Sequence, residues 1–412
     1  MAAITRADCL AADRADPLAA FRRRFCLPRG VTYLDGNSLG ALPAATAPRV
    51  RAVIDAEWGR DLIRSWNRHG WVTLPGRLGD KIARLIGAAP GEVLVADSVS
   101  VNVFKLLAAA MQLRPGRRVI LSDRGNFPTD LYIAQGLTRL LDGRAMLRVV
   151  EEGEIAASID ADTAVVMLTQ VNYRSGRLHD LPGLTRRAHD AGALVLWDLA
   201  HSAGVLPLDL KGAGVDLAVG CGYKYLNGGP GAPAFLFVAR RHQAVVTPAL
   251  PGWFGHAEPF AFDSEYRPAP GIARLLCGTP PVLSMAALEV GVDLSLEADP
   301  VCVRAKSVAL TERFIALVEQ FCPGRFDLVS PRDPERRGSQ VSLAQPAGYA
   351  IVQALIARGV IPDFRAPDIL RFGFPPLYTR HLDVWNAVRH LRAVMDGNEW
   401  NRPEYHQRLT VT

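Results

Sequence analysis

Short apolar runs alternate with helical periods through the middle of this chain, and that alternation constrains its fold more than any other feature. Val93–Ala96 reads as a strand, and a helix follows from about Val101 to Gln112. Arg118–Ser122, Ala164–Thr169, Ala193–Trp197, Leu217–Val219 and Ala234–Val238 read as further strands, with helical patterns such as Leu181–Ala191 between them. Strands separated by helices form a mostly parallel sheet covered on both faces. Such sheets take ligands beyond the carboxyl ends of their strands. Helices are expected over Leu42–Arg60 and Leu74–Ile86 before this block, and over Pro280–Leu296 and Val301–Glu319 after it. Later strands fall near Gln340–Leu343 and Ile369–Phe372. The expected organisation is a large α/β domain over 48–285. A smaller α+β domain joins 1–47, an N-terminal arm, to 286–412. Pro248–Pro270, rich in Pro, Gly and aromatics, reads as an ordered loop rather than a tether.

Composition narrows the function classes. The chain has 412 residues, enough for two domains, and a net charge of only +6. No basic stretch carries interleaved aromatics, so nucleic acid is not an expected partner. Arg22-Arg23-Arg24 reads as a solvated helix face. The six cysteines, at 9, 26, 221, 277, 302 and 322, form no C-x-x-C pair and have no His at ligand spacing. Free thiols in a reducing compartment are expected, and no metal. The first residues carry Asp8, Asp13 and Asp16 and lack an apolar core, so a targeting peptide is not expected. No apolar run reaches the roughly 18 residues of a membrane span. The expectation is a soluble, cytoplasmic protein.

Chemistry enters with lysine. Only five are present: Lys81, Lys105, Lys211, Lys224 and Lys306. Arginine cannot serve as an amine nucleophile. Lys224 follows the apolar run ending near Val219 and precedes the turn Asn227-Gly228-Gly229-Pro230-Gly231. A strand end of this kind would present a Lys for a Schiff base with pyridoxal 5'-phosphate. A surface cation fits the same local pattern. Asp198 ends another strand and opens Asp-Leu-Ala-His-Ser-Ala-Gly, 26 residues before Lys224. A carboxylate there could keep a cofactor's pyridine nitrogen protonated, and His201 could reach the same cofactor. The plainer alternative is a helix N-cap with a core His. Val99 and Ser100 open a helix after a strand, which suits a phosphate seat or an ordinary cap. Phe127-Pro128-Thr129-Asp130 follows another strand and offers an aromatic to stack and a second carboxylate. Thr169 ends a further strand with a hydroxyl.

These stretches together resemble the kynureninase family, within the fold-type I class of pyridoxal-phosphate enzymes. The matching segments are Tyr33-Leu34-Asp35-Gly36-Asn37-Ser38-Leu39-Gly40, Phe127-Pro128-Thr129-Asp130, Asp198-Leu199-Ala200-His201 and Tyr223-Lys224-Tyr225-Leu226-Asn227. Pro251-Gly252-Trp253-Phe254-Gly255-His256, Gly278-Thr279-Pro280-Pro281 and Leu370-Arg371-Phe372 also match. The resemblance implies a mostly parallel seven-stranded-type sheet and hydrolysis of L-kynurenine to anthranilate and L-alanine, a step in tryptophan degradation. It implies that Lys224 carries the cofactor, that Asp198 and Asp130 face the pyridine nitrogen, and that Phe127 stacks on the ring. His201 and Thr169 would lie beside the cofactor. Val99, Ser100 and Tyr223 would hold the phosphate, Tyr223 doubling as a general acid. Trp253 and Thr279 would come from the second subunit of a homodimer. Arg371 would clamp the substrate carboxylate as a bidentate partner, with Ser38, Trp66 and Arg64 lining the substrate pocket. Arg64 and Thr279 stand where relatives that prefer 3-hydroxykynurenine carry His and Asn, so kynurenine is the expected substrate.

An alternative on the same fold is a cysteine desulfurase-like lyase or transferase. It would need a mobile nucleophilic Cys, and Cys322 in Phe-Cys-Pro-Gly is the candidate.

Overall fold

A computed structural model describes residues 3–409. The chain divides into two compact units. The larger comprises Thr46–Asn172 and His179–Leu296. The smaller takes the described residues within Met1–Ala45, Tyr173–Leu178 and Glu297–Thr412.

Seven strands build the sheet of the larger unit: β1 (Val93–Val95), β2 (Val119–Asp123), β3 (Met146–Val150), β4 (Thr163–Thr169), β5 (Leu194–Asp198), β6 (Leu217–Gly220) and β7 (Phe235–Val238). Their spatial order is β1-β7-β6-β5-β4-β2-β3. The pairs β6·β5, β5·β4, β4·β2 and β2·β3 are parallel, and β7 runs antiparallel to both neighbours. The expected mostly parallel seven-stranded sheet is therefore present.

Side chains alternate between the two faces of the sheet along each central strand, as the pleat requires. Val166, Leu168, Val195, Trp197 and Ala218 enter one core, with Leu78, Ile82 and Ile86 of the helix Leu74–Ile86. Val165, Met167, Leu194, Leu196 and Val219 enter the other, with Leu106 and Leu107 of the helix Val99–Leu113. Two apolar faces explain why the central strands read as unbroken apolar runs. The edge strand β3 does not. It is half-buried or exposed throughout, and its pattern gives no such run.

Helix boundaries follow local chemistry. Leu42–Arg60 is not one helix: an α-helix over Thr46–Ala52 passes into a wider π-type turn over Val53–Trp58. Pro43 is held in a bridge to Phe25, which keeps the preceding backbone extended. Pro248–Pro270 is ordered by the 3-10 turn Trp253–Gly255 and a bridge between His256 and Pro268.

The smaller unit holds β8 (Asp327–Leu328), β9 (Gln340–Ala344), β10 (Asp363–Arg365) and β11 (Ile369–Gly373). They form an antiparallel sheet in the order β10-β11-β9-β8. The helices Pro300–Phe321, Gly348–Ala357 and His381–Asp396 supply Phe314, Ile351, Leu355, Val388 and Leu391 to its core. The segment after Thr32–Tyr33 lies along this sheet. The Gly373 N–H donates to the Leu34 carbonyl at 2.7 Å. A Cβ on Gly373 would sit 2.0 Å from Asn37 Oδ1, so only glycine permits the approach. Among the described residues no helix is long and apolar enough to cross a membrane.

Candidate active site

Strand register places most of the singled-out residues along one edge of the large sheet. Thr169 is paired with Asp198, and Asp198 with Val219, one residue before the end of β6. Gly220 and Val95 both pair with Phe235. The carboxyl ends of β4, β5, β6 and β1 are thus level. Lys224 leaves the end of β6 through a tight turn, closed by the Gly228 N–H donating to the Gly222 carbonyl at 2.9 Å. A Cβ on Gly222 would meet the Pro233 carbonyl oxygen at 2.5 Å, which ties this turn to glycine.

Lys224 Nζ is 3.0 Å from His201 Nε2, and 5.9 Å from the ring centres of both Phe127 and Tyr223. Asp198 is buried, and its Oδ1 accepts from the Ala200 N–H at 2.7 Å. Burial raises its carboxyl above the usual range, against the pull of the Lys224 charge. Asp130 lies in the first turn of the helix Pro128–Leu140 and is 1% exposed. Neither of its oxygens has a hydrogen-bond partner. Burial, then repulsion from Asp198, hold Asp130 well above the ordinary carboxylate range. Burial also raises the Tyr223 hydroxyl. The buried hydroxyl of Thr169 donates to Asn126 Oδ1 at 2.5 Å.

Val99 and Ser100 form the first turn of the helix Val99–Leu113. Ser98 is its N-cap, accepting from the Val101 N–H at 3.4 Å. Capping therefore falls to Ser98, which leaves the Ser100 hydroxyl half-buried and without a bond among the described residues. A helix start with open N–H groups favours an anion.

In the larger unit, Trp66 packs against Trp71 and Phe254 at ring separations of 5.7 and 6.0 Å. Arg64 is turned outward, with its guanidinium on the Asp61 and Arg60 carbonyls at 3.2 Å. Trp253 is 38% exposed and Thr279 is also exposed. Their loops touch where the Phe254 N–H donates to the Cys277 carbonyl at 3.1 Å. Neither residue bonds to the Lys224 cluster among the described residues.

The smaller unit holds Arg371 and Ser38. Arg371 is 2% exposed and donates from Nε to Asp363 Oδ1 at 2.6 Å and from Nη2 to Asp363 Oδ2. It also donates to Ser38 Oγ at 3.0 Å and to the Tyr173 carbonyl at 2.6 Å. The bidentate edge of the guanidinium is occupied by Asp363. A substrate carboxylate would have to use the opposite edge, in exchange for the Ser38 or Tyr173 contact. Sequence reading missed Asp363, Asp35 and Asn126. Asp35 lay inside a matched stretch and Asn126 directly precedes another, while Asp363 carried no local signal.

These residues suit a flat, anionic, nitrogen-containing cofactor. Two buried carboxyls, one of them wholly without partners, an amine beside an aromatic ring and an open helix start are the donor set that such a group needs. Cys322, by contrast, is 4% exposed and burial pushes its thiol up to about 11. That is a poor setting for a nucleophile.

Comparison with known proteins follows the same line. The model of the kynureninase C-terminal domain matches residues 303–391. Kynureninase of Burkholderia pseudomallei is 56% identical over 414 residues, covering 99% of this chain and all of that protein. Kynureninase of Pseudomonas fluorescens is 52% identical over the same span. Among solved structures, a cysteine desulfurase of Thermococcus onnurineus superposes with a TM-score of 0.76 at 17% identity, covering 92% of this chain and 98% of that one. A cystine C–S lyase superposes at 0.75 with 19% identity, covering 88% and 98%. At such identities these two structures speak for the fold alone.

Proposed function

The chain belongs to the kynureninase family, and from that membership we infer that it is a pyridoxal-phosphate-dependent hydrolase. It cleaves the Cβ–Cγ bond of L-kynurenine with water to give anthranilate and L-alanine. The observation that carries this reading to the site is Lys224. Its amine stands just beyond a strand end beside His201, and its charge acts on the buried Asp198.

When bound, pyridoxal phosphate withdraws electrons from the substrate α-carbon and so makes its proton removable. In this reading Lys224 would hold the cofactor covalently, and its Nζ, when free, would take and return the substrate α-proton. Asp198 holds the proton of the pyridine nitrogen. Phe127 would pack against the ring, while Ser100 and the backbone N–H groups at the start of its helix would hold the phosphate. Tyr223, whose hydroxyl burial keeps protonated, could give a proton to the β-carbon left when the Cβ–Cγ bond breaks, which becomes the methyl group of alanine. Arg371 binds the substrate carboxylate in exchange for one of its present contacts.

A homodimer with shared sites completes the proposal. Trp253 and Thr279 are exposed on adjacent loops, and Trp58, Ile63, Phe260 and Phe262 add exposed apolar surface to the same unit, at 58%, 77%, 59% and 77%. Such surface fits an interface. The cytoplasm is the compartment we assign, in keeping with six free cysteines.

The test is direct. Purified holoprotein mixed with L-kynurenine should release fluorescent anthranilate and equimolar alanine. Absence of anthranilate from a protein with full cofactor absorbance would overturn the reading, as would equal turnover by Lys224→Ala.

A further inference from the structure

Lys105 is 1% exposed, and the chemistry above gives it nothing to do. It belongs to the helix Val99–Leu113, whose start is the seat assigned to the phosphate. Side chains on a helix lean toward its N-terminus, so Lys105 reaches back past the first turn. Its Nζ donates to Asp97 Oδ2 at 2.5 Å and to the Leu275 carbonyl at 2.7 Å. Asn102, one turn earlier on the same face, does likewise: its Nδ2 donates to the Ala96 carbonyl at 2.8 Å. The two residues that join β1 to the N-cap are thus held by side chains of the helix they precede.

That turn needs holding. Asp97 has a φ of 51°, in the left-handed region that a residue with a Cβ adopts only at a cost. Its carbonyl accepts from the Ala234 N–H at 2.9 Å, which fixes one side of the peptide. The bend puts Ser98 at the N-cap and leaves the N–H groups of Val99 and Ser100 open. Charge matters as much as shape. The Asp97 carboxylate stands immediately before this seat, and a bare carboxylate there would repel a phosphate. The Lys105 ammonium cancels it. Being buried between two protein acceptors, that ammonium cannot swing away without becoming an unpaired buried charge.

We propose that Lys105 is a positioning residue for the phosphate of the cofactor: it fixes Asp97 in its left-handed conformation and cancels its charge, and so keeps the helix start at Val99 and Ser100 receptive to an anion. The proposal rests on the reading that this pocket holds pyridoxal phosphate.

Pyridoxal phosphate and pyridoxal differ only in the phosphate ester, so the ratio of their affinities isolates the seat. Each is titrated into the full-length apoprotein and followed by absorbance and tryptophan fluorescence. In Lys105→Met the dissociation constant for pyridoxal phosphate should rise by about tenfold or more, while that for pyridoxal stays within about twofold of wild type. Adding Asp97→Asn to Lys105→Met should restore part of the preference for the phosphorylated form, because the bare carboxylate is gone and Asn accepts a left-handed backbone. Should Lys105→Met not fold, Lys105→Gln, which keeps a donor for the Leu275 carbonyl, takes its place with the same expectation. Equal weakening of both ligands marks a structural ion pair and would overturn the proposal. So would a phosphate preference in the Lys105 variant within about threefold of wild type, or a double variant no better than the single one. A wild type that binds both forms equally would sink the phosphate seat itself, and the proposal with it.

Discussion

Asp35→Asn should stabilise the protein at alkaline pH and leave it unchanged in acid. Asp35 follows the short strand Thr32–Tyr33, and its Oδ1 is buried without a partner. Asp363, 1% exposed, holds the nearby positive charge through its bonds to Arg371 and to Arg365 at 3.0 Å. Burial, then repulsion from Asp363, push Asp35 up to about 7, against the pull of Ser38 and Arg371. The folded state therefore keeps a proton that the unfolded chain loses near 3.8. The stability this contributes is present below the unfolded value and is lost as pH rises through the folded one. A shift of that size corresponds to roughly 4 kcal/mol. Asparagine resembles the neutral acid and cannot ionise, so it avoids the loss. Exchanging the neutral acid's O–H for an amide N–H costs about 1 kcal/mol. Urea unfolding of the apoprotein should show little difference between variant and wild type at pH 4. The variant should be ahead by roughly 3 kcal/mol at pH 8. A second readout is kinetic. On the proposed role of Arg371, ionised Asp35 would compete with the substrate carboxylate for it, so the wild-type KM should rise above pH 7 and that of Asp35→Asn should stay flat. A stability difference that is independent of pH, or a variant less stable than wild type at pH 8, would refute the argument.

Other expectations concern the site and its scaffold. Borohydride reduction of the yellow holoprotein should attach the cofactor to Lys224, and label recovered on Lys211 or Lys306 would contradict the assignment. Asp198→Asn should lower kcat/KM by roughly a hundredfold or more, because a neutral amide holds the ring proton poorly, while Asp198→Glu should retain more; wild-type rates in Asp198→Asn would show the role to be wrong. Asp216 is buried at 2% exposure and binds His189, His242, Arg241 and the Val195 N–H at 2.7–3.0 Å. Burial pushes its carboxyl up, but these donors outweigh burial and hold it well below the ordinary range. Its stabilising effect is thus present above the unfolded value and is lost as pH falls through the folded one, and Asp216→Asn should cost about 3–5 kcal/mol in urea unfolding at pH 7. Mixing Lys224→Ala with Trp253→Ala subunits should restore part of the activity through hybrid dimers, and no recovery after confirmed subunit exchange would count against shared sites.

The strands of the large sheet were legible because each central strand is buried on both faces and so must be written in apolar residues. β4, Thr163–Thr169, is buried at every position, and its end falls where the apolar run Ala164–Thr169 ends. Lys224 and Asp198 were legible for the same reason: each is a polar residue at or just past the end of such a run. The resemblance to kynureninases, read from matched stretches, agrees with full-length relatives at 52–56% identity. The edge strand β3 escaped notice because half of it faces water and burial no longer dictates its residues. Only the tertiary structure could decide the rest. The Tyr173–Leu178 segment lies within the large-domain stretch of the chain, yet its backbone bonds Gln340 and Ser342 of β9. Arg371 announces a carboxylate, but that Asp363 already holds its fork depends on the antiparallel pairing of β10 with β11. The direction of the Thr169 proton is set by Asn126, 43 residues away in sequence. Hydrogen bonds are short and directional, and their partners here meet only through sheet register. A pattern of apolar and polar residues along a chain records which side chains are buried, and leaves open which donor faces which acceptor.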